Sequence, residues 1–184
     1  MKCLPKFERQ KTHAWEQRKL GDIVEFYSGL TYSPNDVIAS NGTFVLRSSN
    51  IQNGEIYLAD NVYVKSDVIN CPNVEIGDIV VVVRNGSRDL IGKHLIINKK
   101  MSDTVIGAFM TGVKSQQPDF YNSLLDTRQF KIEINKNLGA TINQITTGAF
   151  KQMQFFVPSL KEQTAIGTLF RQLDAAIASH QRKA

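Results

Sequence analysis

Cysteine is almost missing from this chain. Cys3 and Cys71 are the two present in 184 residues, and neither sits in a Cys-x-x-Cys pair or beside a histidine at ligand spacing. That argues against a structural zinc site and against a disulfide framework. Long apolar runs are missing as well. The longest, Ile79 to Val83, has five residues, too few to span a bilayer, and the basic N-terminus lacks the apolar segment of a secretion signal. The expectation is a cytoplasmic protein with no membrane partner, in which the sequons Asn41-Gly42-Thr43 and Asn85-Gly86-Ser87 carry no meaning.

Catalytic signatures are equally scarce. Gly86 followed by Gly92-Lys93 imitates a phosphate loop, but five residues separate the glycines instead of four, and His94 stands where Ser or Thr should hold magnesium. No glycine-rich dinucleotide fingerprint follows a strand, and the Asn/Asp-Pro-Pro-aromatic signature of amino-methyltransferases is absent because the five prolines are isolated. His13, His94 and His180 fall in an arm, a strand and a helix with no triad partner. The one pairing that imitates a metal nuclease, Pro118-Asp119 with Glu133-Ile134-Asn135, lacks the lysine such centres use. The sequence therefore predicts no catalytic centre, no cofactor and no metal.

What is present is a soluble composition, 42% hydrophobic and 21% charged, on a chain long enough for one well-buried core. The net charge of +5 is unevenly spread: residues 1–19 and 84–100 each carry +4, which leaves −3 on the remainder. An uneven positive surface suits a polyanion, since phosphate contacts supply most sequence-independent affinity.

Read in order, residues 2–14 form an arm leading to Trp15, with Trp15 and Leu20 as anchors, a short helical or turn segment at Asp22–Phe26, and a break at Ser28-Gly29. Residues 31–43 read as a polar loop. Phe44-Val45-Leu46 is a short buried strand delivering Arg47, Ser48, Ser49 and Asn50 at its end, Asn53-Gly54 is a tight turn, and Asn61 to Val64 alternates like a half-buried strand. After the Gly77-Asp78 turn, Ile79 to Val83 has β-branched residues on both faces and is the central-strand candidate; Arg84, Asn85, Ser87 and Arg88 follow it, with Asn85-Gly86 read as a hairpin tip. His94 to Ile97 is the returning strand. Val105 to Val113 is another, with Gly107 and Gly112 marking bulges or close packing. Phe120 to Thr127 is helical, 140–148 is an exposed loop, and Gln154 to Val157 is a last strand. The fold class is mixed α/β, rich in strands.

The strand ends and loops bear the side chains that bond base edges in the major groove: Arg to guanine, Asn or Gln to adenine, Ser and Thr more permissively. Arg47, Ser48, Asn50, Arg84, Asn85, Ser87 and Arg88 are the readout candidates, with Gln144, Thr146 and Thr147 beside them. Lys19, Lys93, Lys99, Lys100 and Lys151 suit phosphate contacts, which position without reading sequence.

At the C-terminal end, Ser159 follows Pro158 and Glu162 lies three residues on, a capping box opening a helix. Ile166, Leu169, Leu173 and Ala176 then share one stripe, widened by Phe170 and Ile177, in a seven-residue rhythm with no glycine stop. Two readings stay open: a final helix packed on its own domain, or a coiled-coil arm carrying a subunit interface.

These landmarks converge. Trp15 to Ile23, Ser28-Gly29, Leu46 to Ile51, Gly77-Asp78-Ile79, Gly86 to Lys93 and above all Val157-Pro158-Ser159-Leu160-Lys161-Glu162-Gln163-Thr164-Ala165-Ile166 resemble, in order and spacing, a target-recognition domain of type I restriction-modification specificity subunits. The resemblance implies a DNA-binding domain over 1–158 that reads half of a split double-stranded target, then a spacer or dimerisation helix over 159–184. It implies docking of modification subunits, which methylate adenine with S-adenosylmethionine. Restriction subunits join the same assembly and cleave with ATP, so the specificity subunit itself makes no bonds. The family usually carries two recognition domains and a longer helix, which leaves a dimerising half-subunit, a truncated product acting as an interaction protein, and an excised piece as open readings.

Overall fold

In the computed structural model, which describes residues 14–52, 54–139 and 143–181, the chain opens with β1 (Glu16–Lys19), a 3-10 turn at Leu20–Asp22 and β2 (Glu25–Ser28). A 3-10 turn at Pro34–Asp36 leads to β3 (Val37–Ile38) and β4 (Thr43–Leu46). After the turn Ser48–Asn50 come β5 (Ile51–Gln52), β6 (Glu55–Ile56) and β7 (Val62–Val64). The middle of the chain supplies β8 (Ile79–Val82), β9 (His94–Ile96), β10 (Thr104–Ile106) and β11 (Met110–Lys114). The rest is α1 (Pro118–Leu125), α2 (Arg128–Asn137), α3 (Thr147–Gln152), β12 (Gln154–Val157) and α4 (Leu160–Gln181).

Two four-stranded sheets lie face to face. One, in the order β2-β11-β8-β9, is antiparallel throughout; the other runs β10-β4-β7-β3, with β10 and β4 parallel. β8 shows why its sequence is apolar on both sides. Ile79 and Val81 point into a core shared with α1, α2, α3 and β12, whereas Val80 and Val82 point into the layer between the sheets with Phe44, Leu46, Ile106 and Met110. A strand covered on both faces must alternate between two apolar environments, hence a continuous run of Ile and Val. The far side of the second sheet buries Leu30, Val45, Val64 and Val105 under the 66–71 segment.

Gly112 shows close packing. A Cβ there would lie 2.0 Å from Cζ of Tyr27, whose ring crosses that position and donates its hydroxyl to Oδ2 of buried Asp78 at 2.7 Å. Burial, then the Asp78 contact, pushes the Tyr27 phenol far above the ordinary tyrosine range.

Several expectations are corrected. Leu20 anchors the entry, but Trp15 is 49% exposed. The Asp22–Phe26 segment divides into a 3-10 turn and β2, because Phe26 pairs with Val113. Residues 31–43 are no plain loop: a capped 3-10 turn and β3 lie within them. Val105 to Val113 is two strands in different sheets, turned at Gly107, where Met110 N–H donates to the Gly107 carbonyl at 2.9 Å. Asn85-Gly86 is no hairpin tip, since a wide connection with its own turn at Arg88–Leu90 joins β8 to β9. Helix α2 goes beyond those expectations: its N-cap Thr127 accepts from Phe130 N–H at 3.2 Å, and Phe130 and Ile134 enter the core.

The capping box opens α4: Ser159 N–H donates to Glu162 Oε2 at 3.0 Å and Glu162 N–H to Ser159 Oγ at 3.4 Å. The reading of a helix packed on its own domain holds for the N-terminal part of α4. Its first turns pack on α1, where Gly167 lies so close that a Cβ would be 2.7 Å from the Phe120 nitrogen, and Arg171 Nε meets Asp119 Oδ2 at 3.1 Å. Along the stripe Leu169, Phe170, Leu173, Ala176 and Ile177 are exposed, whereas Ile166 is half-buried against the domain's own core.

Candidate nucleic-acid interface

β4 and β10 run parallel and end side by side, Leu46 beside Ile106. β8 ends, and antiparallel β11 begins, at the same edge, with Met110 beside Val82. The strand geometry alone therefore gathers Arg47, Ser48, Arg84, Asn85 and the 107–110 turn into one rim. The 143–147 segment joins them: Arg84 bridges Gln144, Asn85 N–H donates to the Asn143 carbonyl at 3.3 Å, and Ile145 N–H donates to the Val83 carbonyl at 2.9 Å. This segment is held as an extension of β8, with Ile145 buried, so it is not the free loop expected over 140–148; residues 140–142 lie outside the described residues.

The rim residues differ in what their side chains have left to offer. Asn50 is fully buried: its Oδ1 accepts from Arg47 N–H at 3.0 Å and its Nδ2 donates to the carbonyls of Tyr57 at 3.2 Å and Ala59 at 3.0 Å. The expectation that Asn50 reads bases is corrected; it ties the 47–50 turn to the 57–59 segment. Arg47 is half-spent, with one terminal nitrogen on the Asp60 carboxylate at 2.6 Å and on its carbonyl at 2.7 Å. Asn85 Nδ2 donates to Ser48 Oγ at 3.1 Å while its Oδ1 accepts from Ser87 N–H at 3.0 Å, so Ser48, Asn85 and Ser87 brace one another. Arg88 reaches the Gly139 carbonyl at 3.4 Å. Thr146 Oγ1 caps α3 through Ala149 N–H at 3.1 Å while the residue stays exposed; Thr147 and exposed Gln144 flank it.

The lysines divide. Lys93 lies opposite Val82, whose N–H donates to its carbonyl at 2.8 Å, and so stands at the rim. Lys151 lies in the last turn of α3, its Nζ 5.9 Å from the Phe26 ring centroid and its stem packed over Gly21, two residues on from Lys19. Lys99 and Lys100 are corrected. They follow Ile97, which bonds back to Asp78, and so lie at the opposite end of β8, a strand length of about 13 Å from the rim. The basic arm expected over 2–13 lies outside the described residues.

One rim residue escaped the sequence reading. Phe109, 51% exposed at the tip of the β10–β11 turn, carries the Arg84 guanidinium 4.8 Å from its ring centroid. Gly107 was the available signal, had it been read as a turn instead of a bulge. Among the described residues no group of three His, Cys, Asp or Glu side chains could hold a metal, and no helix is long and apolar enough to cross a membrane.

The family model for the type I restriction modification DNA specificity domain matches residues 12–184. The chain is 24% identical over 176 residues to the StySPI type I restriction enzyme specificity subunit of Salmonella potsdam, covering 89% of this chain and 38% of that protein. It is 25% identical over 182 residues to the EcoKI specificity subunit of Escherichia coli K12, covering 91% and 39%. It thus spans about two-fifths of these relatives. The HsdS subunit of Thermoanaerobacter tengcongensis shares the fold at a TM-score of 0.67 and 15% identity, over 97% of this chain and 42% of the other. With its landmarks in order from β1 to α4 and the match running almost end to end, the chain belongs to the type I restriction modification DNA specificity domain family.

Proposed function

We propose that this chain reads a short run of base pairs in double-stranded DNA through the rim at the ends of β4, β8 and β10, and leaves bond-making to other subunits. The observation that carries the reading is the convergence of Arg47, Arg84, Arg88, Gln144 and Thr146 on one edge of two stacked sheets, in a member of a DNA-specificity family. Lys93 supplies phosphate anchoring at the rim itself, and Lys19 and Lys151 supply it at the far end of α3. Its relatives are named as specificity subunits of restriction enzymes. By that likeness its partners are methylating modification subunits, with restriction subunits joining indirectly, in the cytoplasm.

Fluorescence anisotropy on target and random duplexes, across a salt series and with modification subunits present or absent, tests this. Arg84→Ala should cost about 1–3 kcal/mol on the target alone, Lys151→Ala should weaken all duplexes and lower the salt slope by about one, and Lys99→Ala should do little. Equal losses on target and random DNA for Arg84→Ala would remove the rim from sequence readout.

We further propose that residues 159–184 act as a spacer helix whose exposed half joins a second copy or a second recognition domain. Leu169, Phe170, Leu173 and Ile177 on one apolar stripe support it, because such a stripe in water favours association. A homodimer built this way would read a symmetric split target. Gel filtration should show a dimer that Leu173→Glu converts to monomer; an unchanged elution volume counts against the seam. The alternative, an interaction protein without DNA binding of its own, shares this seam and parts from the main reading in the anisotropy measurement.

A further inference from the structure

We propose that Phe109 is a positioning residue for base readout: its ring holds the Arg84 guanidinium as the reader of one guanine in the major groove. The inference rests on the DNA-reading function proposed above and deepens it.

The backbone of Phe109 is fixed from two sides. The 107–110 turn is closed by Met110 N–H on the Gly107 carbonyl, and the Phe109 carbonyl accepts both Val83 N–H at 2.9 Å and Arg84 N–H at 3.1 Å. The ring is therefore locked in register with the residue whose side chain it touches. Yet the ring belongs to none of the three apolar cores and is 51% exposed. A large apolar side chain on a rigid turn, facing water and filling no core, contributes little to folding.

What it does hold is the guanidinium, 4.8 Å from its centroid and within cation–π range. A cation–π contact commits none of the guanidinium's N–H groups to an oxygen or nitrogen acceptor, so they stay open to another partner. The three rim arginines differ in this respect. Arg47 is committed to Asp60 and Arg88 reaches Gly139, whereas no hydrogen bond or ion pair among the described residues uses the Arg84 guanidinium. Arg84 is also pinned through its backbone by the bridge to Gln144. A pre-oriented guanidinium with two free parallel donors matches the O6 and N7 acceptors of guanine; adenine offers a donor at the corresponding edge.

The test is a selection from a pool of duplexes randomised over one central helical turn, using the full chain, alone and with modification subunits added. Wild type should fix a guanine at one position. Arg84→Ala and Phe109→Ala should each relax that same position, by roughly 5- to 150-fold, and leave the other fixed positions alone. Phe109→Trp should keep the guanine, since indole offers the better face, and Arg84→Lys should not, since an ammonium lacks the two-donor fork. Phe109→Ala should unfold at the wild-type midpoint. A Phe109→Ala variant that still selects the guanine overturns the proposal. So does one that changes a different position, which would mark direct contact with a base, or one that weakens every position alike. Failure of wild type to enrich any sequence would instead sink DNA reading itself, and the proposal with it.

Discussion

Phe150→Ala should cost about 3–5 kcal/mol of stability, read as a fall in the denaturation midpoint with the slope unchanged. Phe150 is fully buried, with its ring 5.2 Å from Phe26 and 5.8 Å from Phe130, and Phe130 lies 6.4 Å from Phe155. These rings come from β2, α2, α3 and β12, four elements each held by its own hydrogen bonds, so no single one can move in to refill the space. Truncation therefore loses the transferred surface and leaves most of the cavity, and it removes aromatic contacts worth about 0.5–1.5 kcal/mol each beyond area. Phe150 also anchors α3, whose first turn carries Thr146 and Thr147 on the rim, so DNA affinity should fall along with stability. Phe109→Ala, the same chemical change on an exposed turn, should stay within about 0.5 kcal/mol of wild type. A Phe150→Ala midpoint that barely moves would mean that the four-ring cluster is not the core it is described as.

Asn50→Ala should be nearly as damaging, at roughly 2–4 kcal/mol, and Asn50→Asp no milder. The carboxamide satisfies three backbone groups with its two ends: Arg47 N–H, and the carbonyls of Tyr57 and Ala59. Alanine orphans all three around a fully buried position, and each orphan that water does not reach costs about 1–3 kcal/mol before relaxation. Aspartate keeps the acceptor for Arg47 N–H but points a carboxylate at two carbonyls, where no donor remains. The functional consequence follows from position. The Asn50 bonds fix the turn that carries Arg47 and the segment leading to its partner Asp60, so losing them frees the Arg47–Asp60 pair to wander. Calorimetry on the two variants, with anisotropy at a temperature where both are folded, separates the stability loss from the binding loss. An Asn50→Ala protein with wild-type stability and lost base preference would restore Asn50 to the readout role.

These cases show where reading residues in order succeeds and where it stops. The capping box at Ser159 and Glu162 was legible because both of its bonds close within four residues. The double-faced burial of Ile79 to Val82 was legible because an unbroken β-branched run leaves no polar side chain for either face of a strand. The helix over α1 was legible at helical period, with Phe120 turned inward as expected, although Tyr121 and Leu125 are buried more deeply than Leu124. The order and spacing of the landmarks from Trp15 to Ile166 were sufficient to indicate the family.

The sequence by itself thus determined the helix start at Ser159, the central strand β8 and the kind of side chains brought to the strand ends. Only the tertiary structure decided which of those side chains remain available. Asn50, Asn85 and Arg47 looked as eligible as Arg84, but in the fold Asn50 is spent on Tyr57 and Ala59, Asn85 braces Ser48, and Arg47 gives one of its terminal nitrogens to Asp60. Lys99 and Lys100 looked continuous with the basic run from Arg84, until the reversal of β9 carried them to the other end of the sheet. Phe109 looked like one more strand residue, until the turn at Gly107 left it outside. The physical reason is common to all three. A polar or aromatic side chain is functional only if its bonding capacity survives folding, and that is settled by contacts between segments far apart in the chain.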